Sequence, residues 1–294
     1  MIATKGARPM LKLVYYPWIT QNVPAQDIAA SIGAFAHEIE QKLAAAGQPD
    51  TVQVMPPVDV PVQVAQVIAG TADIALMNPL GLVFARAKNP NAEAVAVAKR
   101  IIDGKVGVSY FAQLYAHKKT AIRAFKDAKS VGFGVPFSTS NFLVPALMLL
   151  NGGVHPLLGF GSVSFLGGHD VVARAVYNGQ VDVGAGHDGV IIDLSNQRGY
   201  GDALDVLVQL KRSDPIPSDP VVVTTPDATK RNVLKQAIVA AGNTPAGLTA
   251  LAKFWGNAQG LQDTTSAAYA VLTTAMDTLK LGASELMPPP PKTP

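Results

Sequence analysis

The sequence predicts an α/β fold in two lobes of similar build, each a mostly parallel sheet flanked by helices. Three observations predict it. Short apolar runs alternate with helix-period segments along most of the chain, which is the pattern of βαβ units. One ten-residue pattern occurs twice, far apart in the chain. Two extended segments, one aromatic and one proline-rich, stand where a chain could cross out of one lobe and return.

The elements follow in order. Residues 12–16 read as a first strand, ended by Pro17. Residues 25–46 carry Ile28, Ile32, Phe35, Ile39 and Leu43 at helical spacing, and Gly47 with Pro49 stops that helix. Val52 and Val54 alternate with polar neighbours, as in a short strand. Residues 61–69 read as a second helix capped by Gly70, and 72–77 as a buried strand around Asp73. The repeat lies here: residues 67–76 and 176–185 each give a helix end, a glycine, two residues, an Asp and an apolar strand. Residues 108–116, with Tyr110, Phe111 and Tyr115, form the outward crossing. Residues 213–220 form the return, with Pro215, Pro217 and Pro220 keeping the backbone extended. The strand 221–223 follows. Residues 231–281 read as helical and Ala-rich, and the tail from Met287 contains four consecutive prolines. The expected domains are 1–114 as the first part of lobe 1, and 115–216 as lobe 2. Residues 217–294 then supply the return crossing and C-terminal helices that complete lobe 1, with a disordered tail at 287–294.

Composition excludes several classes. With 294 residues, 48% hydrophobic and 15% charged, the chain is globular and large enough for two lobes. The net charge of +3 comes from scattered Lys and Arg without a basic stripe, so no nucleic-acid partner is expected. The polar-free stretches are too short to cross a bilayer. The absence of cysteine removes disulfides, thiol nucleophiles and thiolate metal sites. Met1 to Met10 lacks the apolar core of a secretory leader, so the chain reads as cytoplasmic or as a mature form whose leader has been removed.

The residues that could carry chemistry sit at strand-to-helix junctions. A Gly-flanked strand at 131–135 leads to Ser138, Thr139, Ser140 and Asn141, then to an apolar helix. A helix N-terminus presents unpaired N–H groups and partial positive charge, and adjacent hydroxyls add donors. A single hydroxyl there is ordinarily an N-cap. Three with an amide form a cradle for an anion that needs no Lys or Arg. Gly167-Gly168-His169-Asp170 opens another helix, and Gly184-Ala185-Gly186-His187-Asp188-Gly189 ends a later strand. Ligands collect at the carboxyl ends of parallel strands, so both His-Asp pairs are placed to meet one. Alone, each His is as well explained as a surface or capping residue. Three rival chemistries fit less well. The G-x-G-x-x-G at 184–189 comes late and lacks a full dinucleotide-binding half. The His-Asp pairs lack metal-ligand spacing. Ser138 and Ser140 are not framed as a nucleophile elbow.

The stretch 137–145 resembles the S-T-S-G-y-l-v-P signature of phosphonate and phosphite ABC-transporter binding proteins. Residues 167–170 and 175–185 resemble that family's G-s-H-D-a and A-V-x-N-G-x-V-D-A-G-A. Residues 214–223 resemble its x-P-I-P-n-D-P-i-V-v. These occur in family order over residues 11–225. The resemblance implies a two-lobed, type II periplasmic-binding-protein fold that captures a small phosphorus oxyanion (phosphonate, phosphite or phosphate) by hinge closure. No chemistry and no cofactor are implied, and the partner is a membrane-embedded ABC permease. The protein is then expected to be an extracytoplasmic monomer, with or without a lipid anchor. By position, Ser138, Thr139 and Ser140 would bind the oxyanion, and Tyr110, His169 and Asp188 would line the cleft. Tyr15 or Tyr16 would close it. Asn141 stands where Gly is frequent and His187 where an aromatic is common, and both bear on ligand choice. Asp188 beside an anion is repulsive unless it accepts a hydrogen bond from a P–OH or an amino substituent. Two alternatives stand beside this reading: an enzyme acting on a phosphorylated metabolite with His169 or His187 as acid/base, and a binding protein for a sulfonate or nitrate.

Overall fold

The computed structural model describes residues 10–17, 23–256 and 258–280. The expectations for the N-terminal segment and the Pro-rich tail lie outside them. In chain order the first elements are β1 Met10–Tyr15, α1 Ala25–Ala45, β2 Thr51–Val54, α2 Val60–Ile68, β3 Ile74–Leu76, α3 Pro79–Lys88 and β4 Glu93–Ala98. Then come β5 Arg100–Ile102, β6 Lys105–Gly107, β7 Ser109–Tyr110, β8 Ala112–His117, β9 Ser130–Phe133, α4 Val144–Asn151, β10 Ser162–Phe165 and α5 His169–Tyr177. The remainder are β11 Val183–His187, α6 Val190–Ser195, α7 Ala203–Val206, β12 Leu207–Arg212, β13 Ile216–Pro217 and β14 Pro220–Val223. The chain finishes with α8 Ala228–Gly242, α9 Pro245–Phe254, β15 Leu261–Asp263 and α10 Ala270–Leu279.

The chain divides into two units. Within the described residues, unit 1 takes 10–17, 23–108, 218–256 and 258–268, and unit 2 takes 109–217 and 269–280. Unit 1 is built on a six-stranded sheet of order β15-β4-β14-β3-β1-β2. Helix α1 presents Ile28, Ile32, Phe35, Ile39 and Leu43 as one buried stripe, and it packs on α8 and α9. Unit 2 is built on a five-stranded sheet of order β10-β9-β11-β8-β12. Val172, Val176, Val190, Ile191 and Leu194 of α5 and α6 pack with Tyr115 of β8 in one buried cluster.

The ten-residue repeat has the same structure in both places. Gly70 and Gly179 take φ of 67° and 71°, which a residue with a Cβ adopts only at a cost. The next N–H reaches back into its helix, Thr71 to Gln66 O at 3.0 Å and Gln180 to Ala175 O at 2.8 Å. The Asp of each repeat then ties the neighbouring parallel strand. Asp73 Oδ2 accepts from Lys12 N–H at 2.8 Å, and Asp182 Oδ2 accepts from Lys129 and Ser130 N–H at 2.7 and 3.1 Å.

Three features differ from the sequence expectation. Each sheet is mixed: β1-β2, β1-β3, β9-β10 and β9-β11 are parallel, while β14, β15, β8 and β12 pair antiparallel. Of these, β8, β12 and β14 flank the crossings, where the chain enters a sheet without a βαβ connection. The C-terminal third is interrupted by β15, which contributes one buried residue, Leu261, and so shows no alternation to read. The last helix, α10, was expected to complete lobe 1. It packs instead on α4 in unit 2, because α4 is apolar on nearly every side and needs a second cover.

Candidate functional site

The candidate site occupies one edge of unit 2's sheet. Strands β10, β9 and β11 run parallel, with Phe165 opposite Phe133 and Gly184 opposite Gly132, so their carboxyl ends emerge together. Strand β8 runs the other way, with Ala112 opposite His187, which brings Tyr110 and Phe111 to the same edge. Strand β12 reverses again and ends there with Arg212.

After β9 the chain forms a π-type turn, Thr139–Leu143, that leads into α4. Leu143 N–H bonds Ser138 O at 3.0 Å, a reach of five residues. Pro145 explains part of this geometry. It has no N–H to offer the carbonyl of Asn141 four residues back. That carbonyl instead accepts from Gly134 N–H at 3.2 Å. Ser138 is the N-cap, its Oγ accepting from Asn141 N–H at 3.1 Å, and its hydroxyl hydrogen still points elsewhere. Ser138, Thr139, Ser140 and Asn141 are 8%, 2%, 4% and 0% exposed. Among the described residues, neither end of the Asn141 carboxamide has a hydrogen-bond partner.

The loop that follows β10 is zipped to this turn. Leu166 N–H bonds Phe133 O at 2.8 Å and Gly167 N–H bonds Gly134 O at 3.2 Å. Helix α5 therefore begins beside the turn, with His169 as its first residue. The two His-Asp pairs divide in role. Asp170 turns inward, 2.8 Å from Arg174 Nη1. His169 and His187 meet edge to face at 4.8 Å, and His169 Nδ1 accepts from His187 N–H at 3.4 Å. Burial, together with the neighbouring His187, holds His169 well below the usual histidine range, so it is neutral at physiological pH. His187 Nδ1 accepts from Gly189 N–H at 3.1 Å, which leaves the proton on Nε2, 3.2 Å from Asp193.

Asp188 is held by its backbone, its N–H donating to Phe111 O at 2.9 Å. Its Oδ2 lies 3.5 Å from Arg212 Nη2, and the Arg212 guanidinium stacks 3.6 Å over the Phe111 ring. Gln113, 2% exposed, donates to His187 O and Asp188 O at 3.0 and 3.1 Å. Arg212 and Gln113 were not singled out in the sequence. The signal for Arg212 was a charged pair ending a strand directly before the return crossing. Tyr110 is half-buried in the crossing pair, opposite Ile216.

The structure thus brings eight of the expected residues to one edge: Ser138, Thr139, Ser140, Asn141, Tyr110, His169, His187 and Asp188. Tyr16 belongs to unit 1. That side chain is 3% exposed in unit 1, donating to Asp219 Oδ1 and accepting from Trp255 Nε1, each at 3.3 Å. Tyr15, 2% exposed, packs edge-on against Phe254.

The comparisons point one way. The family model for the periplasmic substrate-binding protein of phosphonate ABC transporters matches residues 19–269. Among solved structures, a Xanthomonas citri protein bound to chloride ion aligns with a TM-score of 0.73 at 16% identity, over 92% of this chain and 98% of that one. PhnD1 of Prochlorococcus marinus, in complex with methylphosphonate, aligns with a TM-score of 0.71 at 19% identity, over 93% and 99%. A binding protein component of an ABC phosphonate transporter from Pseudomonas aeruginosa aligns at 0.69 and 20% identity, over 95% and 92%. At such identities these likenesses speak for the fold.

Proposed function

We propose, from the premise that this chain belongs to the periplasmic substrate-binding proteins of phosphonate ABC transporters, that the carboxyl edge of unit 2's sheet receives a small phosphorus oxyanion. One observation carries the placement. Four consecutive polar side chains, Ser138 to Asn141, are almost wholly withdrawn from water at a strand-to-helix junction, and one of them has an unpartnered amide. A buried polar group without a partner costs about 1–3 kcal/mol. A tetrahedral oxyanion offers the acceptor that the Asn141 amide lacks, in a field favoured by the adjoining helix N-terminus.

In this reading Ser138, Thr139, Ser140 and the Asn141 amide donate to phosphorus oxygens. Neutral His169 adds a donor without a charge, and Tyr110 and His187 flank the ligand. Tyr16 has no role in it, since its hydroxyl is engaged within unit 1. Binding involves no bond making or breaking. Ligand shifts the population toward a more compact form, and that form is the one the membrane-embedded permease receives. The protein works as a monomer outside the cytoplasm, with or without a lipid anchor.

A thermal-shift panel of phosphate, phosphite, methylphosphonate, 2-aminoethylphosphonate, sulfate and nitrate tests this. At a hundred times Kd a ligand adds about 2.7 kcal/mol, which is roughly 5–10 °C for a chain of this size. At least one phosphorus oxyanion is expected to do so. Stabilisation by sulfate or nitrate alone, or by none, overturns the reading. Small-angle scattering with and without the stabilising ligand tests closure, and unchanged dimensions count against it.

A further inference from the structure

We propose that Arg212 is a specificity-determining residue: by neutralising Asp188 it makes the site select phosphonates with an uncharged substituent over those that carry an ammonium group. The inference rests on the phosphorus-oxyanion reading above and deepens it.

An ionised carboxylate near a bound oxyanion is tolerated when a proton, a ligand cation or a protein cation compensates it. The structure supplies the third. Arg212 Nη2 stands 3.5 Å from Asp188 Oδ2. Two independent features hold the guanidinium there. Its plane lies on Phe111, 3.6 Å from the ring centre, and Phe111 O in turn holds the Asp188 N–H at 2.9 Å. The second feature is a bulge. Strand β12 follows β8 residue for residue from Leu207 to Gln209, then the register slips by one before Lys211. Without the slip Lys211 would stand opposite Gln113. With it Arg212 does, on the face where Gln113 binds the carbonyls of His187 and Asp188. A planar, permanently charged fork is thereby chosen over a flexible ammonium.

The charges at Asp188 then cancel. Asp188 carries one negative charge, Arg212 one positive and His169 none, while the Asp193 carboxylate beside His187 is 41% exposed and screened by water. An ammonium substituent meets no net negative charge to offset its lost hydration, whereas a methyl or other uncharged substituent loses little.

Titration calorimetry with methylphosphonate, 2-aminoethylphosphonate and phosphonoacetate decides it, using the wild type, Arg212→Met and Asp188→Asn. The wild type is expected to bind methylphosphonate about tenfold or more tightly than 2-aminoethylphosphonate. Arg212→Met keeps apolar contact with the Phe111 ring and leaves Asp188 uncompensated. It should move that ratio toward 2-aminoethylphosphonate by about tenfold. Asp188→Asn leaves the Arg212 charge in excess and should move the ratio toward phosphonoacetate by a similar factor. It decides the matter alone if Arg212→Met does not fold. The inference is overturned if the wild type prefers 2-aminoethylphosphonate, or if the folded variants keep the wild-type ratios. Wild type that binds none of the three phosphonates overturns the inference, while the functional reading falls only if phosphate and phosphite also fail to stabilise the protein.

Discussion

Gly134 and Asn141 constrain each other. A Cβ on residue 134 would stand 2.2 Å from Asn141 Nδ2 and 2.8 Å from the backbone oxygen of Gly167, so Gly134→Ala collides with both the turn and the adjoining loop. It should cost about 1–3 kcal/mol in a urea titration. Adding Asn141→Gly should recover only the part owed to the amide, because the Gly167 carbonyl remains. His169 governs a second residue-level outcome. Its folded-state pKa is depressed, so below the ordinary value of 6.5 the unfolded chain binds the extra proton first. The stability tied to neutral His169 is complete above about 6.5 and is lost as pH falls through that value toward the depressed one. The slope is at most about 1.4 kcal/mol per pH unit. Melting curves between pH 7.5 and 5 should show this slope, and His169→Gln should flatten it. At this scale the sequence was legible where chemistry is consecutive. Ser138 to Asn141 could be read because four polar residues before an apolar helix are unusual in themselves. Arg212 could not, because its place opposite Gln113 depends on a one-residue register slip, and Gln113 could not, because its partners His187 and Asp188 lie on a strand far away in sequence.

The π-type turn is the element on which binding depends in the proposed site, and Pro145 sustains it. Pro145 sits in the first turn of α4, where a missing N–H costs least, and its absence of a donor keeps the Asn141 carbonyl available to Gly134. Pro145→Ala restores a donor that competes for that carbonyl and lets the turn relax toward an ordinary α-helix. The side chains of the turn would then be re-aimed. Affinity for the phosphorus ligand should fall about fivefold, equivalent to about 1 kcal/mol, while the melting temperature changes little. A parallel loss of stability would instead mean that the proline serves helix α4 and not the site. The helices and glycine caps were readable because each follows from local rules: the stripe of α1, and the caps at Gly70 and Gly179. Strand direction was not readable. Whether β8 or β14 pairs parallel or antiparallel is decided by where the chain re-enters a sheet, and that is a property of the path.

At the scale of the whole molecule, unit 1 is assembled from segments far apart in sequence, and one buried network marks where they meet. Arg100 Nη2 lies 2.5 Å from Asp219 Oδ2, with Arg100 Nη1 2.7 Å from Trp255 O. Tyr16 donates to Asp219 and accepts from Trp255. Asp219 O in turn accepts from Ala98 N–H at 3.0 Å, and Ser218 N–H donates to Val108 O at 2.9 Å. The end of β1, the exit from β4, the return strand β14 and the end of α9 are therefore fastened at one point. The side chains of Arg100 and Asp219 are 14% and 7% exposed, so removing one charge leaves the other with little water to compensate it. Asp219→Asn should destabilise the protein by about 3 kcal/mol, and Tyr16→Phe by about 1 kcal/mol for one lost hydrogen bond pair. Because both changes act on the same carboxylate, the double variant should lose less than the sum, by about 0.5 kcal/mol or more. Urea unfolding followed by circular dichroism measures all three. Strict additivity would show that Tyr16 is held by its packing against Phe254 and not by Asp219.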